Sequence, residues 1–318
     1  MMTSLRFTAL FATLLLTSIS LVKAAEPAPD SLRIGYQKGS VAMLLTKAHR
    51  LLEKRYPQTQ ISWIEFPAGP QLLEALNVGS VDLGGTGDIP PLFAQAAGAD
   101  LLYVGAEPAK PKAEVILVPE ASPIRNVADL KGRKVAFQKG SSSHNLVLRA
   151  LQQAGLSFSD IQPVYLTPAD ARAAFQQHSV DAWAIWDPFY SAAVLQGDAR
   201  VLIDGSRLNL TGSFYLATRD YTEKNAPFLR AVLDTFTEAE TLTRTQKDAS
   251  IALISQAIGL PVPVIARYLA NRPEMTIGLV SDSTASAQQH TADLFFASHL
   301  LPVKLDIRQR IWAGPAAH

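Results

Sequence analysis

Short apolar runs alternate with longer amphipathic stretches along almost the whole chain, and no other feature narrows the choice of fold as much. Leu32–Tyr36, Ile61–Phe66, Val81–Leu83, Leu101–Gly105 and Val115–Val118 read as strands, with helices over Val41–Arg55, Gln71–Val78 and Ile89–Ala97 between them. A Pro/Lys-rich stretch, Pro108-Ala109-Lys110-Pro111-Lys112, interrupts the series. It then resumes with strands Val135–Phe137, Val164–Leu166 and Ala182–Trp186 and helices Ser142–Ala154, Ala169–Gln176 and Phe189–Gln196. Asp204–Ser213 is polar and contains glycine, Phe214–Thr218 reads as a returning strand, and helical patterns cover Pro227–Thr245, Asp248–Ile258, Val262–Ala270 and Ser283–Ala297. Such alternation predicts βαβ units, hence an α/β fold of mixed, mostly parallel sheets flanked by helices. The two composition breaks predict two lobes joined by two crossings. Lobe 1 takes residues 25–110 plus 212–318, lobe 2 takes 111–211, and a ligand cleft lies between them.

The chain has 318 residues, 48% of them hydrophobic, which is enough for the cores of two domains. It has no cysteine, so disulfides, thiolate metal sites and cysteine nucleophiles are excluded. Arg6 precedes an apolar run from Phe7 to Val22, and Val22-Lys23-Ala24 offers small residues at the −3 and −1 positions of a cleavage site. Residues 1–24 therefore read as a secretory signal, cleaved after Ala24; a membrane-spanning helix would need a longer run. No cysteine follows to carry a lipid. Removal of Arg6 and Lys23 from 29 basic residues leaves 27 against 28 acidic ones, a net charge of −1. That balance argues against a nucleic-acid partner, which needs a basic face.

Four strand-to-helix junctions carry the candidate chemistry. In open α/β sheets ligands bind beyond the carboxyl ends of strands, where helix starts expose N–H groups and the positive end of the dipole. Gln37-Lys38-Gly39-Ser40 reads either as an ordinary cap or as a ligand loop. Gly84-Gly85-Thr86-Gly87-Asp88, ahead of Pro90-Pro91, allows close approach to the main chain, but it also suits a tight turn with Asp88 as N-cap. Lys139-Gly140-Ser141-Ser142-Ser143-His144-Asn145 holds more donors than a cap requires and matches a tetrahedral oxyanion. A Ser–His nucleophile is the rival there, but the G-x-S-x-G elbow is lacking because His144 stands where its last glycine belongs. In Trp183-Ala184-Ile185-Trp186-Asp187-Pro188 the tryptophans fall on opposite strand faces, which predicts one in the core and Trp186 against a ligand tail. Asp187 before Pro188 also reads as an N-cap. His49, His178, His290 and His299 are scattered, and no zincin, Walker or EF-hand pattern occurs.

Ile34-Gly35-Tyr36-Gln37-Lys38-Gly39, Phe66-Pro67-Ala68-Gly69-Pro70, Gly87-Asp88-Ile89-Pro90-Pro91 and Phe137–Asn145 resemble the periplasmic aliphatic sulfonate-binding proteins. So do Ala182–Pro188 and Asp306–Trp312. The resemblance runs over nearly all of the chain after residue 24; Ala313–His318 alone has no match. It implies a two-lobed (type II) periplasmic binding protein fold of the nitrate, sulfonate and taurine group. It implies delivery of alkanesulfonates to the membrane permease and ATPase of an ABC importer, by a monomeric protein that performs no chemistry. Taurine or a sulfate ester is the alternative ligand, and a same-fold pyrimidine-precursor synthase the enzymatic alternative. The ligand-binding set is then Gln37, Thr86, Gly87, Asp88, Ser141, Ser142, Ser143, His144, Trp186, Asp187 and Tyr215, the last from the returning strand. No catalytic residue, metal ligand or cofactor is expected.

Overall fold

The computed structural model describes residues 28–316. The expected signal segment and its cleavage site lie outside these residues. In chain order, β1 (Ser31–Tyr36), α1 (Val41–His49), α2 (Leu51–Arg55), β2 (Gln60–Glu65), α3 (Gly69–Asn77), β3 (Leu83–Thr86), α4 (Ile89–Ala96) and β4 (Leu101–Glu107) come first. A crossing leads to β5 (Glu114–Pro119), β6 (Lys134–Phe137), α5 (Ser142–Gln153), β7 (Gln162–Tyr165), α6 (Pro168–Gln176), β8 (Ala182–Trp186), α7 (Phe189–Leu195) and β9 (Ala199–Asp204). The chain then crosses back to β10 (Ser213–Thr218), α8 (Arg219–Lys224), α9 (Ala226–Thr245), α10 (Lys247–Ile258), α11 (Val262–Asn271) and α12 (Asp282–Ala297).

Two five-stranded sheets result, ordered β2-β1-β3-β10-β4 and β7-β6-β8-β5-β9. Each is a parallel half joined to an antiparallel half: β1 pairs parallel with β2 and β3, whereas β10 runs antiparallel to β3 and β4. The second sheet repeats this with β6 parallel to β7 and β8, and β5 antiparallel to β8 and β9. Because β10 and β5 are each antiparallel to both neighbours, four of the five strands in each sheet run the same way and one is reversed, so the sheets are mixed and mostly parallel as expected. The strands next to the crossings enter from the other lobe rather than through a helix on their own sheet, so they are free to run antiparallel.

Period-2 alternation sorts each strand between two cores. In β5, Ile116 and Val118 pack on one face while Val115 and Leu117 pack on the other. In β8, Ala182 and Ala184 take one face, and Trp183 and Ile185 the other. β10 divides Tyr215 and Ala217 from Phe214 and Leu216 in the same way.

Three local expectations change. The helix expected over Val41–Arg55 breaks at Arg50, which sits in the left-handed region at φ 53°. Ala199–Asp204 forms β9, paired with β5, where no strand was expected. Gly84-Gly85-Thr86 belongs to β3 rather than to a loop, and Val81 lies outside the strand. Glycine is required at 84 because Leu72 of α3 packs onto the strand: a Cβ there would lie 2.2 Å from Leu72 Cδ2. At Gly84 the close approach read from the sequence is made by a helix, whereas Gly85 and Gly87 line the space between the two sheets.

Candidate functional site

The carboxyl ends of the parallel strands in both sheets face one cavity, open to solvent, between the lobes. Four helices begin on it: α1 through Gly39 and Ser40, α3 through Gly69, α4 through Thr86 and Gly87, and α5 through Ser141 and Ser142. None of the four has a side-chain cap, although Ser40, Asp88 and Ser141 occupy N-cap positions. Ser40 Oγ instead accepts from the Gln37 N–H at 3.2 Å, and Ser141 Oγ donates to the backbone carbonyl of Gln138 at 2.7 Å. By contrast Thr167, Thr218 and Ser281 do cap α6, α8 and α12, away from the cavity. The uncapped starts leave first-turn N–H groups and four dipole ends turned to one space, which is the arrangement that attracts an anion. Thr86 Oγ1 adds a buried hydroxyl with no partner.

Trp186 supplies an aromatic wall opposite α1, while Trp183 is fully buried in lobe 2. Tyr215 and Tyr268 complete the apolar side. The Tyr268 hydroxyl donates to Gly39 O at 2.5 Å and so fixes the first junction. Gln37 lines the cavity with its Nε2 donating to Gly85 O at 3.1 Å, which ties two of the junctions together. Asp187 also lines it, but both carboxylate oxygens are taken. Oδ1 accepts from the Ser191 N–H at 2.9 Å and Oδ2 from Asn271 Nδ2 at 2.8 Å. Burial nevertheless raises its pKa above the ordinary value.

Three expected residues stand elsewhere. Ser143, His144 and Asp88 do not line the cavity. Successive residues on a helix turn by about 100°, so Ser143 and His144 rotate out of the direction Ser142 faces. His144 is fully buried among Phe93, Phe137, Phe158 and Phe295. Its Nδ1 accepts from the Gly140 N–H at 3.2 Å. Burial, then the charge of Lys139, push its pKa down to about 3. It is a neutral packing residue, and with it goes any Ser–His pairing. Asp88 faces lobe 2 rather than the cavity, accepting from Asn145 Nδ2 at 2.6 Å. Burial first, opposed by Asn145 and Arg149, leaves its pKa raised to about 6.

The sequence reading missed a charged floor. Lys110, from the Pro/Lys-rich crossing, donates to Glu107 and, at 2.7 Å, to Ser213 Oγ. Burial alone would raise the Glu107 carboxyl, but Lys110 and Arg272 together outweigh it and hold the group below its usual range. Glu114, at the far end of the same crossing, also lines the cavity. In the sequence Lys110 marks only a boundary, and no local pattern marks Tyr268, whose place depends on a partner more than 200 residues away. Among the described residues no group of three His, Cys, Asp or Glu is placed to hold a metal ion.

A family profile described as NMT1/THI5 like matches residues 63–249, more than half of the chain. The chain belongs to the NMT1/THI5-like family. A curated relative from Escherichia coli (strain K12) is 70% identical over 298 residues, covering 94% of this chain and 93% of the relative. The crystal structure of the periplasmic aliphatic sulphonate binding protein SsuA from Escherichia coli superposes with a TM-score of 0.85 at 69% identity, over 92% of this chain and 94% of that one. The alkanesulfonate-binding protein SsuA from Xanthomonas axonopodis pv. citri, bound to MOPS, gives 0.89 at 57% identity, over 91% and 99%. This NMT1/THI5-like chain thus has the two-lobed periplasmic binding protein fold, and its close relatives are binding proteins.

Proposed function

We propose that the protein captures aliphatic sulfonates in the interlobe cleft and hands them to the permease and ATPase of an ABC importer, performing no chemistry itself. The observation that carries this reading is the set of four uncapped helix starts opposed by Trp186. A sulfonate is a permanent anion with three weakly basic oxygens; it needs donors and no proton acceptor. Each helix start contributes up to about 2 kcal/mol when partly buried, and hydrogen bonds to a charged group about 1.5–3 kcal/mol each. A micromolar complex requires only about 8.2 kcal/mol after the cost of association. Lobe 1 then comprises 25–110 plus 212–318 and lobe 2 111–211, with the mature, monomeric protein starting after Ala24 in the periplasm.

Isothermal titration with alkanesulfonates of increasing tail length tests the assignment. One site per chain is expected, with affinity rising along the series by roughly 0.8 kcal/mol per buried CH2. Trp186→Ala is expected to weaken long-chain sulfonates by about 1–2 kcal/mol and methanesulfonate much less. No heat with any sulfonate, alongside clear binding of nitrate or a pyrimidine, would reject the reading. Taurine is expected to compete poorly with butanesulfonate, because the ionised Glu107 is already paired with Lys110 and Asp187 with Asn271.

A further inference from the structure

Glu114 opens β5 and stands directly opposite Trp186 in the β5–β8 ladder, so the two side chains leave the same sheet face at the cleft end. It lines the cavity together with Ser142 at the start of α5, and its Oε2 is shut off from bulk solvent with no protein partner. The charged groups around it come from several elements. Asp88, at the start of α4, repels a charge on Glu114, and Lys110 from the crossing attracts one. Glu107 at the end of β4 is engaged with Lys110, Asp187 after β8 with Asn271, and Arg149 of α5 pulls on Asp88. Burial, then the Asp88 charge, outweigh Lys110 and raise the Glu114 pKa to about 8.

An ionised carboxylate beside the helix start that receives a sulfonate would set two acceptors of like charge against each other, with no proton from the ligand to join them. A neutral acid in the same place is a donor. We propose that Glu114 is a ligand contact that acts in its protonated form, donating Oε2–H to an oxygen of a permanently ionised headgroup held at the start of α5. The inference rests on the sulfonate reading of the cleft. It makes proton retention at one side chain a condition of capture, and it adds a donor to a set otherwise made of N–H groups and hydroxyls.

The test is titration calorimetry of butanesulfonate from pH 6.5 to 9.5 in sulfonate-free buffers of differing ionisation enthalpy, with wild type, Glu114→Gln and Glu114→Ala. Wild-type affinity is expected to fall roughly thirty-fold between pH 7 and 9.5, with nearly one proton taken up per ligand at pH 9 and almost none at pH 7. Glu114→Gln keeps an N–H donor and is expected to lose both the pH dependence and the proton uptake; Glu114→Ala is expected to bind at least several-fold more weakly at pH 7. A carbon-13 titration of the wild-type side-chain carboxyls should show one glutamate changing near pH 8 without ligand and held protonated with it. That measurement decides the matter even if a variant fails to fold. A flat wild-type profile with no proton uptake at pH 9, or a Glu114→Gln profile that still falls like wild type, overturns the proposal and leaves the sulfonate reading standing. Absence of binding at every pH overturns the sulfonate reading itself.

Discussion

His144 illustrates how much a single residue's surroundings decide. An imidazole three residues into a serine-rich helix start invites a functional reading, yet the ring is enclosed by phenylalanines and held neutral. In the unfolded chain it protonates near 6.5, whereas in the fold burial keeps it neutral down to about 3. The folded pKa is depressed, so its contribution to stability is complete above pH 6.5 and is lost as pH falls through the window between 6.5 and 3. The slope is at most about 1.4 kcal/mol per pH unit for one group. Urea denaturation of wild type and His144→Phe checks this. At pH 7.5 the variant is expected to be less stable by about 1 kcal/mol, because the Gly140 N–H loses its acceptor. At pH 5 that gap should close or reverse, since only wild type meets the acid penalty, worth up to about 2 kcal/mol. A gap that stays constant between the two pH values would mean that the ring takes up its proton in the fold as it does in the unfolded chain, so that burial does not depress its pKa.

The helix starts give the corresponding lesson for elements. Strands and helices were legible wherever period-2 and period-3.6 patterns are set by local burial, as in β8, where Ala182–Trp186 matches the expected range. The four junctions were legible too, because small and polar residues mark helix starts in any context. Which of their side chains reach the cleft was not, because that depends on helix rotation and on packing from the other lobe. Glu107, Lys110, Glu114 and Tyr268 were invisible for the same reason: each acquires its place from residues far away in sequence. β9 was missed because its residues, only partly buried at an edge of the second sheet, lack a clean alternation. Neighbouring serines of α5 separate the two kinds of position. Ser142 faces the cavity, and Ser142→Ala is expected to reduce affinity for all sulfonates alike, by about ten-fold or more, through loss of a bond to a charged group. Ser143 is fully buried with an unpartnered hydroxyl. Ser143→Ala should therefore leave affinity unchanged and thermal stability equal or slightly higher. Equal loss of affinity in both variants, by calorimetry, would mean that α5 is rotated from the orientation described.

At the scale of the whole molecule, the lobes are joined by two crossings and touch on both sides of the cleft. On one side Asn145 of α5 holds Asp88 at 2.6 Å, and Arg149 of the same helix reaches Thr291 of α12 at 2.9 Å. Gly87 makes room for this contact, since a Cβ there would lie 3.0 Å from Ser142 Cβ across the gap. On the other side Asn271 of α11 donates to Asp187 at 2.8 Å, and Arg267 reaches the Tyr190 hydroxyl at 3.2 Å. Each lobe also has a core around its own sheet, with a few apolar side chains such as Leu148 and Ala192 packed across, so hinge motion can break these contacts without unfolding either lobe. A ligand that binds only the closed arrangement must supply whatever free energy closure lacks, and weaker contacts between lobes lower its apparent affinity by the same amount. Asn271→Ala removes a donor from a carboxylate that is only 2% exposed, at a cost of about 1–3 kcal/mol to the closed form alone. The expected outcome is a loss of affinity of roughly five-fold to a hundred-fold, the same for short and long sulfonates. Trp186→Ala, which acts on the tail, should instead discriminate between them. Small-angle scattering should show a larger radius of gyration for ligand-free Asn271→Ala than for wild type, with the two converging at saturating ligand. Unchanged affinity and unchanged scattering would mean that the hinge, not the contacts between α7 and α11, sets the closed population.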